Sequence, residues 1–351
     1  MPTFCRHNRL VQNCPICARE QAVEMRPVVS PGGQTTRPAR AAGSGSSDAS
    51  RRSGSGARST SRRGGRGSQG VIVRRLSRGA EDGFRSALLP GLRSGADAAR
   101  LAEELAFAET RLARLAADPP GLYAEVADAD AGGDLEERTW LAFLIAYVGP
   151  LDGDAPFAGI EAARTSWSSG EPPHLDGVAT GPRTAYEAGR GQRTIDAYRA
   201  WAQRSGSQAA AFTGEAAWTP ERRFSRGFER LALPGLDRGA RFELLASLGR
   251  LGVYELQAAA LGFGGNDPVT VAAKRVLGIG DPLLLERRAA ELADACGLSL
   301  EAVDVGLFNW ERGTRATLGM DAGDEPDAEL LVGVQVALGL GADALEPDDD
   351  R

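Results

Sequence analysis

The stretch NDPVTVAAKRVLGIGDPLLLERRAAELADACGLSLEAVDVGLFNW, Asn266 to Trp310, carries enough punctuation to be read residue by residue. Asp267 followed by Pro268 is an N-cap and first-position pair that starts a helix through VTVAAKRV. Leu277-Gly278-Ile279-Gly280 stops that helix, and Asp281 with Pro282 starts another. The second helix keeps Leu285, Ala289, Leu292, Ala293 and Cys296 on one face, and Gly297 provides its left-handed stop. Cys296 therefore reads as a core thiol.

Upstream of this pair the same period recurs. In ADAARLAEELAFAETRLARLAA (Ala96–Ala117), Leu101, Leu105, Ala108, Leu112 and Leu115 fall at helical spacing, and Pro119 and Pro120 end the segment. LEERTWLAFLIAYVGPL (Leu135–Leu151) is apolar nearly all round yet too short to span a bilayer, which places it as a central buried helix ended by Gly149 and Pro150. Further helices are expected over Thr194–Ser205, Pro220–Leu233, Gly239–Leu251 and Tyr254–Leu261, while alternating β-branched runs are almost absent. The body, residues 79–345, is expected to be all-α, with an acidic, solvated tail at 346–351. Two stretches within it, GFRSALLPGLRSGADAARL (Gly83–Leu101) and GFERLALPGLDRGARFELL (Gly227–Leu245), share nine of nineteen positions. They are either a duplication or two similar helix starts after a Leu-Pro-Gly-Leu turn.

The first 78 residues are of another kind. They hold 15 arginines against Glu20, Glu24 and Asp48, a balance of +12, so the net charge of −6 leaves −18 on the remainder. Any polyanion contact must come from this basic amino-terminal segment or from a local patch on the acidic body. From residue 21 to 78 the chain is rich in Gly, Ser and Arg with little to bury, and reads as a disordered linker. About 50 residues of such coil span roughly 40 Å r.m.s..

Residues 1–20 carry Cys5, His7, Cys14 and Cys17, a Cys-x-His-x6-Cys-x2-Cys order whose Cys-Pro-Ile-Cys end presents two thiolates to one ion. Four such ligands complete a tetrahedron suited to a structural Zn²⁺, and the binding itself would fold so short a segment. A closed ligand set leaves no open position for catalysis, so the module is expected to dock a protein or a nucleic acid. Clustered cysteines without a disulfide framework fit a reducing, cytoplasmic setting, and no apolar run of about 18 residues suggests a membrane span.

Two helices separated by Gly-Ile-Gly resemble the helix-hairpin-helix element of DNA-binding proteins, in which hairpin amides and the next helix's N-terminus hold a backbone phosphate. A plain corner between two helices gives the same Gly-x-Gly. Twenty-four residues past Gly280 stands Asp304, a spacing that looks like the helix-hairpin-helix DNA glycosylase superfamily, whose essential aspartate follows the hairpin and faces a flipped-out nucleotide. The lysine nucleophile of bifunctional members has no match, since Leu283, Leu284 and Leu285 occupy that region. More narrowly, LPGLDRGARFELLASLGRLGV, AAKRVLGIGDPLLLERRAAELA and VDVGLFNW together resemble the alpha-glutamyl/putrescinyl thymine pyrophosphorylase family, particularly its third clade, over much of residues 79–315.

That resemblance implies a glycosylase-like fold used for DNA hypermodification, in which an amine displaces pyrophosphate from a pyrophosphorylated 5-hydroxymethyluracil in double-stranded DNA. Asp304 would then be the catalytic carboxylate, as a general base on the ammonium or as a stabiliser of positive charge. The bland alternative makes it a helix cap. Lys274 and Arg275, with Gly278, Ile279 and Gly280, are the candidate phosphate contacts, and Arg287 and Arg288, with Arg312 and Arg315, a locally basic face. Phe308, Asn309 and Trp310 are candidates for a base pocket, against a plain core role for the aromatics. His174 stands alone and reads as a surface residue. No phosphate loop, dinucleotide fingerprint or Ser/Cys nucleophile motif is present, so no organic cofactor is implied. A base-excision glycosylase and a non-catalytic DNA-binding or scaffold protein are the competing readings.

Overall fold

The computed structural model describes residues 79–129, 134–321, 323 and 325–341. These form helices with no β-strand among the described residues, so this part of the chain is all-α. In chain order the helices are α1 (Gly95–Ala117), α2 (Leu122–Ala127), α3 (Leu135–Val148), α4 (Ala158–Ala163), α5 (Gly191–Arg204), α6 (Gln208–Thr213), α7 (Pro220–Arg230), α8 (Arg238–Arg250), α9 (Pro268–Leu277), α10 (Pro282–Cys296), α11 (Leu300–Arg312) and α12 (Ala328–Leu338). None of them is long and apolar enough to cross a membrane. The zinc-module cysteines and histidine, the linker and the acidic tail lie outside the described residues.

The punctuation read from the sequence is what starts and stops the C-terminal helices. Asp267 accepts from the amides of Val269 and Thr270, Asp281 from Leu284 and Ser299 from Ala302, each satisfying amides that a helix start leaves unpaired. Gly278 and Gly297 end α9 and α10 in the left-handed conformation. Along α1 the stripe Leu101, Leu105, Ala108, Leu112 and Leu115 is buried, as its period requires. In α3, every residue from Thr139 to Val148 is buried, and Phe143 stacks on Trp140, on Tyr147 and on Tyr198 of α5 at the centre of an aromatic core.

Two helical layers result. In one, α11 packs on α1 and α9, α12 packs on α1, and α10 touches α9, α11 and α12. In the other, α3 is the centre, with α2, α4, α6 and α8 against it and α7 on α8, and α1 also touches α8. The first layer closes tightly because α11 carries Gly306 where it meets α1. A Cβ there would lie 2.8 Å from Leu105 Cδ2 and 3.0 Å from Leu105 Cα, so a larger residue would force the two helices apart.

Two expectations change. Tyr254–Leu261 is not helical: carboxylates from α10 and α11 take two of its amides, Glu301 accepting from Ala258 and Glu286 from Leu261, and Glu286 also accepts from Phe263 just beyond it. The two Leu-Pro-Gly-Leu stretches share only their turn, closed by Leu92 N–H to Leu89 O (3.0 Å) and Leu236 N–H to Leu233 O (3.1 Å). Residues 83–88 before the first are irregular, whereas the corresponding residues before the second include the end of α7. The turns also dock differently, Gly91 on the carbonyl end of α9 and Gly235 on Thr194 of α5. The resemblance is thus one of helix starts, not of a repeated unit.

Candidate functional site

The turn between α9 and α10 is assembled from both directions. Gly278 N–H closes on Lys274 O at 3.0 Å, and Gly91 N–H reaches across to Val276 O at 2.9 Å, so the first Leu-Pro-Gly-Leu turn braces the end of α9. A Cβ on Gly91 would fall 1.9 Å from Arg275 O, which only glycine avoids. Ile279 is half-buried against the core, while Gly280 is exposed with nothing near its face. The amides of Ile279, Gly280 and Asp281 donate to no acceptor within the described residues, and they precede a helix N-terminus, the arrangement that receives anions elsewhere.

The cations expected around this turn are mostly engaged. Arg275 makes a two-pronged contact to Glu311 at 2.5 and 2.7 Å, and Arg287 and Arg288 share Glu291 at 3.0 and 2.8 Å. Arg315 pairs with Glu103 and Glu104 and lies over Phe107. Lys274 is half-buried and makes no ion pair among the described residues, and Arg312 is exposed. The pairs of Arg287 and Arg288 with Glu291 are exposed and hold only about 0–1 kcal/mol, so a phosphate can displace them. Beside the turn, Leu283 and Leu284 are exposed at 81% and 51%, and Asp281 places a carboxylate at the start of α10.

Asp304 occupies a different environment. It lies in the second turn of α11, whose cap is Ser299, so the capping role is excluded. Its carboxylate is fully buried between two guanidiniums from the other layer. Arg183, in the segment before α5, meets Oδ1 at 2.5 Å, and Arg238, the first residue of α8, meets Oδ2. Arg183 also approaches Glu243 at 3.3 Å and lies over the Phe308 ring, and Arg238 donates to Leu261 O and stands 3.6 Å from Asp267. Burial would raise the Asp304 carboxyl, but Arg238 and Arg183 outweigh it and hold it below the ordinary range. Glu243 goes the other way: burial, with the charges of Asp304 and Asp237, pushes it up to about 7 against the pull of Arg183. The cluster therefore joins α11 to α8 through charge, and both Asp304 oxygens are occupied.

The three residues at the far end of α11 proposed to line a base pocket, Phe308, Asn309 and Trp310, are packed into the core. Phe308 is buried under Arg183, and Asn309 is buried with its side-chain Oδ1 accepting from Ala316 N–H at 2.8 Å. Trp310, almost fully buried, donates to Asp97 O at 3.1 Å beneath the Arg100 guanidinium and lines a cavity of about 400 Å³ with Gly91, Arg93 and Arg275. The aromatics are core, the plainer of the two readings, because α11 is buried along its length from Glu301 to Trp310. His174 is exposed and Cys296 buried, as expected. Among the described residues no group of three or more His, Cys, Asp or Glu is placed to hold a metal.

Arg183, Arg238 and Glu243 are the site residues that sequence reasoning missed. Two left a signal. Arg238 places a cation on the first position of a helix, where the macrodipole disfavours it, and Glu243 interrupts the apolar run Phe242, Leu244, Leu245. Arg183 gave none. No protein-family model, no curated protein and no solved structure matches this chain.

Proposed function

We propose that the chain grips duplex DNA at the turn between α9 and α10, as a helix-hairpin-helix element, and serves the amine-for-pyrophosphate exchange on 5-hydroxymethyluracil that its sequence resemblance implies. The observation that carries the DNA contact is the run of three amides, Ile279, Gly280 and Asp281, without acceptors at an exposed glycine turn. A backbone phosphate supplies the missing acceptors, with Lys274, in the last turn of α9, as a cation that makes no ion pair among the described residues. In the exchange, the C–O bond to pyrophosphate breaks, a C–N bond forms, and the ammonium loses a proton. Asp304 in its buried, doubly paired form is a poor base for that proton. Its role in this reading is to position Arg183 and Arg238, and the general-base role would require α11 and α8 to separate.

A second reading, a DNA-binding or scaffold protein without chemistry, is favoured by the same complete occupation of Asp304. We also assign a structural Zn²⁺ to Cys5, His7, Cys14 and Cys17 ahead of the linker. Two measurements separate the readings. Binding of a fluorescent duplex by the full chain should fall steeply with salt and weaken at least tenfold in Gly280→Pro with the fold retained. Nucleoside mass spectrometry after incubation with pyrophosphorylated duplex and an amine then gives the reaction. An aminated nucleoside supports the exchange, free base supports excision, and neither, with binding intact, leaves the scaffold reading. Salt-insensitive binding, or none, removes the DNA contact itself.

A further inference from the structure

The first turn of α10 continues the hairpin with two side chains that nothing among the described residues covers. Leu283 and Leu284 are two of the four large apolar side chains exposed there. A loose helix end does not account for this. Leu285, the next residue, is fully buried and its amide donates to Asp281 O at 2.9 Å, while Leu284 N–H donates to the Asp281 carboxylate at 3.0 Å. Pro282 fixes the same turn from the first helical position. Side chains on a helix lean toward its N-terminus. The two leucines therefore stand at the end that carries the free amides of Ile279, Gly280 and Asp281.

Four residues on, and so on the same face, Arg287 follows Leu283 and Arg288 follows Leu284. Arg287 is exposed and Arg288 half-exposed, and they share Glu291. Along the helix this face reads amide donors, apolar pair, cations. A bilayer matches it poorly, because the apolar part ends after one turn in two arginines instead of continuing along the helix. A nucleic-acid strand presents the complementary order of phosphate, sugar and phosphate. The leucines also distinguish between sugars, since they offer neither a donor nor an acceptor. A ribose 2′-hydroxyl pressed against them loses its water and gains no partner, whereas deoxyribose has no such group to desolvate.

We infer that Leu283 and Leu284 pack on the sugars of the gripped strand and select deoxyribose over ribose, which makes this turn a contact specific for DNA. The inference rests on the hairpin grip proposed above and adds to it the residues that choose the nucleic acid.

The test is fluorescence anisotropy of the full chain with a labelled DNA duplex and with an RNA duplex of the same sequence, each over a salt series. The parent should favour DNA by about tenfold or more. The double variant Leu283→Ser, Leu284→Ser should lose about that factor on DNA and little on RNA, so that the preference disappears. Its slope of log affinity against log salt should match the parent's, because no phosphate contact is removed. Both side chains are exposed, so the double variant should melt with the parent. A parent that binds the two duplexes equally, a double variant that keeps the preference, or a loss accompanied by a flattened slope would overturn the inference. Leucine-dependent binding to phosphatidylserine vesicles, with DNA binding indifferent to the leucines, would do the same. If DNA binding responds to salt and to Gly280→Pro but not to the leucines, the hairpin grip stands and this inference alone fails, whereas the absence of salt-sensitive DNA binding removes both.

Discussion

Replacing Glu243 by Gln is expected to stabilise the protein above neutral pH and to leave it nearly unchanged in mild acid. Glu243 is buried on α8, 3.3 Å from the Arg183 guanidinium, and burial pushes its carboxyl from 4.5 up to about 7. An unfolded chain releases this proton near 4.5, whereas the folded chain keeps it until about 7. Between those values the unfolded state binds fewer protons, so stability falls as pH rises. The contribution is fully present below about 4.5 and lost once pH has risen through about 7. A displacement of that size corresponds to about 3 kcal/mol. Gln cannot ionise, and Arg183 retains Asp304 at 2.5 Å, so the substitution removes the penalty without stranding the guanidinium. Urea unfolding followed by tryptophan fluorescence is a suitable assay, since all five tryptophans lie between Trp140 and Trp310. Other carboxyls shift the absolute curves, so the informative quantity is the difference between parent and variant. That difference should open from near zero at about pH 4.5 to about 3 kcal/mol at about pH 8. A gap of the same size at both ends, or a Gln variant less stable than the parent at about pH 8, would refute the placement of a strained carboxyl in the cluster.

Asp304→Asn should do the opposite, costing about 3–5 kcal/mol near neutral pH, because an amide can accept from only one of the two buried guanidiniums. The same unfolding curves measure it, and a loss under about 1 kcal/mol would mean the arginines have other partners. The Cys296 thiol, buried and pushed up to about 11, should resist iodoacetamide in the folded chain at about pH 8 and be alkylated once urea is added, as peptide mass mapping would record. Metal analysis of the purified full chain should find one zinc per molecule, lost in Cys14→Ser, and retention of zinc in that variant would count against the proposed ligand set.

The helix framework was legible because its signals are local. Asp267-Pro268, Asp281-Pro282 and Ser299 act on amides two or three residues away, and Gly278 and Gly297 act on their own dihedrals. Tyr254–Leu261 misled for the converse reason. Its residues are compatible with a helix, and two of its amides go instead to Glu301 and Glu286, which arrive from helices far along the chain. The same limit applies to the candidate site. Asp304 stood out by its distance from the hairpin, yet nothing near it in sequence announced Arg183, 121 residues earlier. Phe308, Asn309 and Trp310 looked available for stacking only while α11 was imagined with a free face. Gly306 brings that helix against α1, and the free face disappears.

The proposed grip on DNA and the proposed chemistry are therefore carried by separate parts of the fold. The hairpin amides are exposed and need no rearrangement to meet a phosphate, whereas Asp304 meets a substrate only if two charge-assisted contacts break. Each contact broken inside the protein leaves a guanidinium without its carboxylate, which is costly unless another anion takes the place. A pyrophosphate leaving group is such an anion, and Arg183 and Arg238 are two cations already held side by side by the residue it would replace. On this argument, pyrophosphate alone should protect the full chain against unfolding more than an equal ionic strength of chloride, and the protection should vanish in Arg183→Gln if that variant still folds. Equal protection by both salts would mean the cluster is architecture only, and the chain's business with DNA would then end at the hairpin.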